Sequence, residues 1–293
     1  MAKKTPLFAS EQPPLDVELL TPEEIAALSG EVQAEVDEER KDAARKLALD
    51  FLKSHPLAAR RSKVFVRINP LEAGVLGVDL AGVMPGAPDG IVFPKASGSA
   101  SVDTVSHVMD ALEKREGLAA ASTKIVAIAG ESALGALTLA EYARSKPARL
   151  IGLSWGPWDL AADLGASTNR DADGAFGFTY RLAMSMTLLG AKAAGLLAID
   201  TPHTDFKDEQ GLLALCKTIR RDGWNGKLAI HPAQVDVINE GFKPTPEEIT
   251  HAERVIAAFD GLADGVASLD GVMLDLPHLK QARNVLALRD ASK

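Results

Sequence analysis

The sequence predicts an α/β chain of the (β/α)8 barrel kind, and three observations predict it. Short, near-continuous apolar runs recur from residue 63 onward, at Val64–Ile68, Gly90–Phe93, Ile125–Ala129, Leu150–Leu153, Leu196–Ile199 and Lys227–Ile230. Helical segments separate them, among them Val102–Glu113, Leu134–Ser145, Phe178–Ala194 and Gln210–Arg221. Strands apolar on both faces that alternate with helices make a parallel sheet covered on both sides. Finally, 293 residues suit either one barrel or two average domains. Six strands are evident where a closed barrel needs eight, so two would have to come from residues 1–60.

The elements follow in chain order. Residues 1–20 are proline-rich and poorly patterned, with Leu7-Phe8-Ala9 and Leu15–Leu19 as strand candidates at best. Thr21-Pro22-Glu23-Glu24 reads as a capped helix start, and helical pattern continues to about Ser54. Ala44, Leu47, Ala48 and Phe51 give that helix one apolar stripe, while the charges at 35–42 form a solvated face. Past the last βα unit, Thr245-Pro246-Glu247-Glu248 opens a helix over Ile249–Phe259, and Asp270-Gly271 marks a hairpin turn. A last helix is expected from about Pro277 to Leu288. The chain thus divides into an N-terminal helical segment (1–60), a barrel core (61–243) and a C-terminal lid or oligomerisation segment (244–293).

Composition narrows the function. A net charge of −8 argues against general nucleic-acid binding, which needs clustered Lys and Arg. Hydrophobic residues make up 46% of the chain, enough for a large core, and the mean hydropathy of +0.03 is that of a soluble enzyme. No apolar run reaches the roughly 18 residues of a membrane span, and the first residues lack a secretion signal's apolar stretch. The single cysteine, Cys216, excludes an intramolecular disulfide and reads as helix core. A cytoplasmic enzyme is the expectation.

The chemistry lies at the strand ends, which parallel strands bring to one rim. Glu131 follows the run ending at Ala129, and Asp159 follows Leu150–Leu153 after a break at Gly156-Pro157. Two carboxylates on one rim suit Mg²⁺, which takes one or two protein carboxylates and leaves its other positions to water and substrate. Arg67, inside the Val64–Asn69 run, is expected among buried apolar neighbours; either it serves a structural salt bridge or it clamps a substrate carboxylate. Asn69 and Lys95 lie on the same rim as candidate substrate-binding groups, with Asp200 and His231 open to structural readings. Trp155 and Trp158 flank the Asp159 loop as packing or as pocket wall.

Residues 63 to about 288 resemble the HpcH/HpaI aldolase superfamily, the group of the citrate lyase beta subunit and the malyl-CoA and citramalyl-CoA lyases. The resemblance rests on Val66-Arg67-Ile68-Asn69, Phe93-Pro94-Lys95, Glu131, Trp158–Gly165, Gly226–Gln234 and Asp270–Pro277, six pieces in order. It implies a TIM-type barrel with a C-terminal helical lid, its N-terminal portion incomplete or altered because the family's opening strands are not visible. It implies Mg²⁺-dependent cleavage or formation of a C–C bond in a 3-hydroxyacyl-CoA or citryl-type thioester. Glu131 and Asp159 would hold the metal and Arg67 the oxo-acid. Asp275 stands where some family lyases insert an acid from a neighbouring subunit's tail, and flanking Leu274 and Leu276 would raise its pKa for proton delivery. The implied partners are an acyl-CoA or acyl-carrier thioester, a small oxo-acid and further copies of the chain in a trimer or hexamer. A thioester hydrolase on the same site, or a non-catalytic member that binds a ligand or partner subunit, are the alternatives.

Overall fold

The computed structural model describes residues 38–260, 262 and 265–291. The strand candidates at 7–19 and the Thr21 helix start lie outside the described residues. Those described divide into two compact units, one ending at Gly241 and the other beginning at Phe242.

In the larger unit, helix α1 (Glu38–Ser54) comes first, followed by strand β1 (Phe65–Arg67) and helix α2 (Leu76–Val83). Next are β2 (Gly90–Phe93), α3 (Ser99–Glu116), β3 (Lys124–Gly130), α4 (Ala133–Thr138) and α5 (Glu141–Arg144). Then come β4 (Leu150–Trp155), α6 (Pro157–Asp163), α7 (Phe178–Ala193), β5 (Leu197–Asp200), α8 (Glu209–Asp222), β6 (Gly226–Lys227) and α9 (Gln234–Gly241). The six strands pair in chain order, each parallel to the next. That is the order of a (β/α) barrel opened along one seam, since every parallel step requires a helical crossover.

Ile91, Phe93, Ile125, Ala127, Ala129 and Leu153 are at 0% exposure. Near-total burial explains why these strands carry no polar alternation. The C-terminal ends of β1 to β4 accordingly deliver Arg67, Lys95, Glu131 and, through α6, Asp159.

Among the described residues the sheet has six strands and no seventh or eighth pairs with its edges, so the closed eight-stranded barrel is not what these residues form. Where residues 1–60 are described they are α1 and a short 3₁₀ turn at Leu57–Ala59. The Lys227–Ile230 run is also shortened to a two-residue strand. Its continuation bends so that Gln234, 1% exposed, accepts the Ile230 N–H on Oε1 at 2.9 Å and donates to the His203 carbonyl at 2.8 Å.

The second unit consists of α10 (Pro246–Ala258), a hairpin of β7 (Val266–Leu269) and β8 (Val272–Asp275), and α11 (Leu276–Ala291). The capping box is present: Thr245 Oγ1 accepts the Glu248 N–H at 3.2 Å while Glu248 Oε2 accepts the Thr245 N–H at 2.8 Å. The hairpin turns at Asp270-Gly271, both at positive φ (52° and 79°), the backbone such a turn demands. Ala252, Val255, Phe259, Ala267, Leu274, Leu279 and Ala282 form this unit's core.

Candidate active site

The site grows from the turn between β4 and α6. Trp155 ends β4, Gly156 is extended at φ −138°, and Pro157 occupies the first turn of α6, where its fixed φ suits helix initiation. Asp159 falls in that same turn, where the helix dipole favours a carboxylate. Gly156 is required for a steric reason: a Cβ there would stand 2.7 Å from Glu131 Cγ. The two acid-bearing loops are therefore in direct contact. They are stitched further by Gly156 N–H to the Gly130 carbonyl (3.2 Å) and by Ala133 N–H to Asp163 Oδ2 (2.7 Å).

Glu131 is 4% exposed, and its Oε2 accepts the backbone N–H of Lys95 at 2.7 Å. Lys95 holds a left-handed backbone, φ 51°, an unfavourable conformation for a side chain with a Cβ. That conformation turns the Lys95 N–H onto Glu131, while Lys95 Nζ lies 3.5 Å from Asp159 Oδ1. Burial pushes the Glu131 carboxyl up. The Lys95 N–H bond works against the rise, the Asp159 charge adds to it, and the Arg67 and Lys95 charges oppose it, leaving the group at about 7. Four charged groups from four loops thus act on one point. Two carboxylates face two cations there, and burial is the largest cause of the rise at Glu131.

That donor set fits a hard divalent cation: one buried carboxylate, one half-exposed carboxylate, and open positions for water and substrate oxygens. Among the described residues no cluster of three or more His, Cys, Asp or Glu could hold a metal, so a site that needs all its ligands from protein is not present.

Arg67 corrects the sequence reading. It is exposed, not enclosed by apolar side chains, because β1 is the sheet's edge strand in the described residues. It forms no ion pair among the described residues, and its charge is felt at Glu131. Asn69 is committed elsewhere: its backbone N–H and Nδ2 both donate to Asp79 Oδ2, at 2.9 and 2.7 Å. Asp79 also accepts Arg45 Nε at 2.8 Å, so Asn69 belongs to a loop-to-helix tie more than to a substrate cradle.

Asp200 is not a rim acid. It is 2% exposed, accepting Lys227 Nζ at 2.6 Å and Trp155 Nε1–H at 2.7 Å. His231 is exposed, stacks on Phe206 at 4.7 Å and accepts the Ala233 N–H on Nδ1 at 3.2 Å. Asp275 lies in the second unit. Leu274 is buried but Leu276 is 60% exposed, so the acid is not enclosed by leucines; its half-exposed carboxylate pairs with His278 Nδ1 at 2.5 Å. It directly precedes α11, the position of a helix cap. Sequence reasoning missed Lys227 and Asp163, because a lysine opening a strand and an acid ending a helix both look like solvated groups.

The HpcH/HpaI aldolase/citrate lyase family model matches residues 31–232. The citrate lyase subunit beta of Haemophilus influenzae is 34% identical over 249 residues, 84% of this chain and 82% of that protein. A (3S)-malyl-CoA thioesterase of Cereibacter sphaeroides is also 34% identical, over 77% of this chain and 74% of its own. Among solved structures, the CitE protein of Mycobacterium tuberculosis in complex with magnesium, acetoacetate and coenzyme A is 31% identical, with a TM-score of 0.69. It covers 88% of this chain and 87% of its own. The family match spans more than half the chain and the identities run across most of it, so this chain belongs to the HpcH/HpaI aldolase/citrate lyase family.

Proposed function

We propose that this chain is a Mg²⁺-dependent carbon–carbon lyase that cleaves or forms a 3-hydroxyacyl-CoA or citryl-type thioester, giving an acyl thioester and a small oxo-acid. The observation that carries the reading is the convergence of a buried Glu131, its carboxyl raised to about 7 by burial, with Asp159. Membership of a family with citrate lyase subunits supports it, as does a relative whose structure holds magnesium, acetoacetate and coenzyme A.

Cleavage turns the 3-hydroxyl into a carbonyl. The hydroxyl proton leaves, the bond between C2 and C3 breaks, and its electron pair passes to C2 as a thioester enolate that takes up a proton. Bound Mg²⁺ supplies Lewis-acid stabilisation of negative charge on the substrate oxygens. Glu131 and Asp159 hold that ion, and the Lys95 N–H fixes Glu131's orientation. Arg67, exposed and with no ion pair among the described residues, presents a planar fork to the oxo-acid carboxylate. Asp275 is the proposed proton donor to C2. That role needs residues 244–293 to close over a barrel mouth, that of a second copy of the chain.

Hydrolysis of the thioester is the second reading, favoured by the 34% identity to a malyl-CoA thioesterase. One assay separates the two. Purified protein with Mg²⁺ is given malyl-CoA, citramalyl-CoA or a citryl thioester, and products are resolved by mass. A lyase yields oxo-acid with the CoA still acylated; a hydrolase yields free thiol and the hydroxy acid. Neither product from any substrate, with Mg²⁺ and oxo-acid still bound, would instead identify a binding member without turnover.

A further inference from the structure

We infer that the indole of Trp155, locked by a buried Asp200–Lys227 ion pair, is the positioning group that sets the distance between Glu131 and Asp159. The inference rests on the metal reading above. Trp155 is 1% exposed, and its Nε1–H donates to Asp200 Oδ1 at 2.7 Å. Lys227 Nζ donates to the other carboxylate oxygen, Oδ2, at 2.6 Å and to the Thr201 carbonyl at 2.6 Å. Asp200 and Lys227 are 2% and 8% exposed. A buried carboxylate needs its charge neutralised and its oxygens occupied, and here a lysine and an indole do both. The β5–β6 ladder has only two registered pairs, Ile199 with Gly226 and Asp200 with Lys227, so the ion pair sits on its final rung.

The consequence lies one residue further along. Trp155 is registered against Gly130, and a Cβ on Gly130 would stand 2.8 Å from Trp155 Cβ. A Cβ on Gly156 would stand as close to Glu131 Cγ, at 2.7 Å, and Pro157 then starts the helix that bears Asp159. A turn of the Trp155–Gly156 peptide would press on Glu131 and swing Asp159 together. With no slack at Gly130 or Gly156, the orientation of the indole fixes both carboxylates. The Phe176 ring, edge-on at 5.3 Å, packs the indole from a second direction. Asp200 and Lys227 cancel each other's charge, so the network acts on the site through geometry, not through its field.

A core ion pair that merely stabilises the fold would look the same in a contact map, so the test is a coupling. Trp155→Phe keeps an aromatic ring in place and deletes the donor. Mg²⁺ titrations by calorimetry on wild type, Trp155→Phe, Asp159→Asn and the double variant form a cycle. Wild type should bind Mg²⁺, and Trp155→Phe should bind it about tenfold more weakly. In the Asp159→Asn background the same change should cost clearly less, because only Glu131 is then left to misplace. Equal losses in both backgrounds, or undiminished Mg²⁺ affinity in Trp155→Phe, overturn the inference alone. A wild type that binds no Mg²⁺ overturns the metal reading, and this inference with it. Should Trp155→Phe not fold, the paired change Asp200→Leu with Lys227→Met removes the indole's acceptor while replacing a buried ion pair by apolar groups, an exchange often neutral for stability. It must give the same loss in affinity.

Discussion

Two glutamates among the described residues are almost withdrawn from water, and their carboxyls lie on opposite sides of the ordinary value. Glu113 is 1% exposed and Glu131 is 4% exposed. Burial pushes both up. At Glu113 that rise is overcome by hydrogen bonds from Arg149, Thr123 and Ala121 and by the Arg149 charge, which hold it at about 2. Arg149 reaches it with both terminal nitrogens at 2.6 Å, and the Thr123 and Ala121 N–H groups add bonds of 3.0 and 2.8 Å. Arg149 also pairs with Asp110. Glu131 has a single backbone donor and a like charge for a neighbour, and stands at about 7. The first carboxylate, beside the starts of β3 and β4, is a completed ion pair. The second, past the end of β3, is the carboxylate proposed to await a metal ion. Buried charge without its complement destabilises the metal-free fold, and such arrangements persist where a ligand supplies what is missing.

The comparison breaks most visibly at Arg149. Arg149→Met leaves Glu113 without its cation and should cost about 3–5 kcal/mol in a urea titration. The midpoint is the readout, and a shift worth under about 1 kcal/mol would show that the pair is not a structural anchor.

The opposite sign is expected at Glu131. Glu131→Gln keeps an acceptor for the Lys95 N–H and removes the strained charge. The metal-free variant at pH 8 should be more stable than wild type, by an amount on the order of 3 kcal/mol at most, while losing Mg²⁺ binding. In the wild type without metal, the Glu131 contribution is full below pH 4.5, where folded and unfolded chains both hold the proton. It is lost as pH rises through about 7, because only the folded chain still binds it. Glu113 runs the other way: its contribution is present above pH 4.5 and lost as pH falls through about 2. Melting temperatures measured from pH 3 to 8, with Glu131→Gln as reference, isolate the first effect; identical curves would contradict it.

Smaller effects should follow at the site's cations. Arg67→Lys keeps the charge and loses the planar fork, so the protein should stay folded while binding of an oxo-acid such as oxaloacetate weakens about tenfold, roughly 1.4 kcal/mol. Unfolding without a change in affinity would restore a structural role. Lys95→Gly relieves the positive φ and removes an exposed ion pair; thermal stability should change by less than about 1 kcal/mol, because the two contributions oppose. Oxo-acid affinity should fall in this variant, and a large stability loss would show that the lysine stem packs more than its exposure suggests.

Much of this was legible in the sequence. Strands at Gly90–Phe93, Lys124–Gly130 and Leu150–Trp155 announce themselves because double-sided burial leaves unbroken apolar runs. Glu131 and Asp159 follow from reading the residue after each run. What could not be read was pairwise. Arg67 is exposed because β1 is the edge strand among the described residues, a property of sheet order, which no run of residues states. Asn69 is tied to Asp79 ten residues away, and Lys227 is buried only because Asp200 faces it across a ladder. The hairpin and capping box in the tail were readable because their causes are local: an Asp-Gly turn, and Thr245 three residues before Glu248.

Glu131 and Asp159 are proposed to form one incomplete cation site, and Mg²⁺ binding measured calorimetrically at pH 6.5 in two buffers of different ionisation enthalpy is the sharpest test of it. A metal that binds at Glu131 must displace the proton held there, so wild type should release a large fraction of one proton per Mg²⁺. Glu131→Gln and Asp159→Asn should each weaken binding at least about tenfold. Binding with no proton release, and with undiminished affinity in both variants, would contradict the claim.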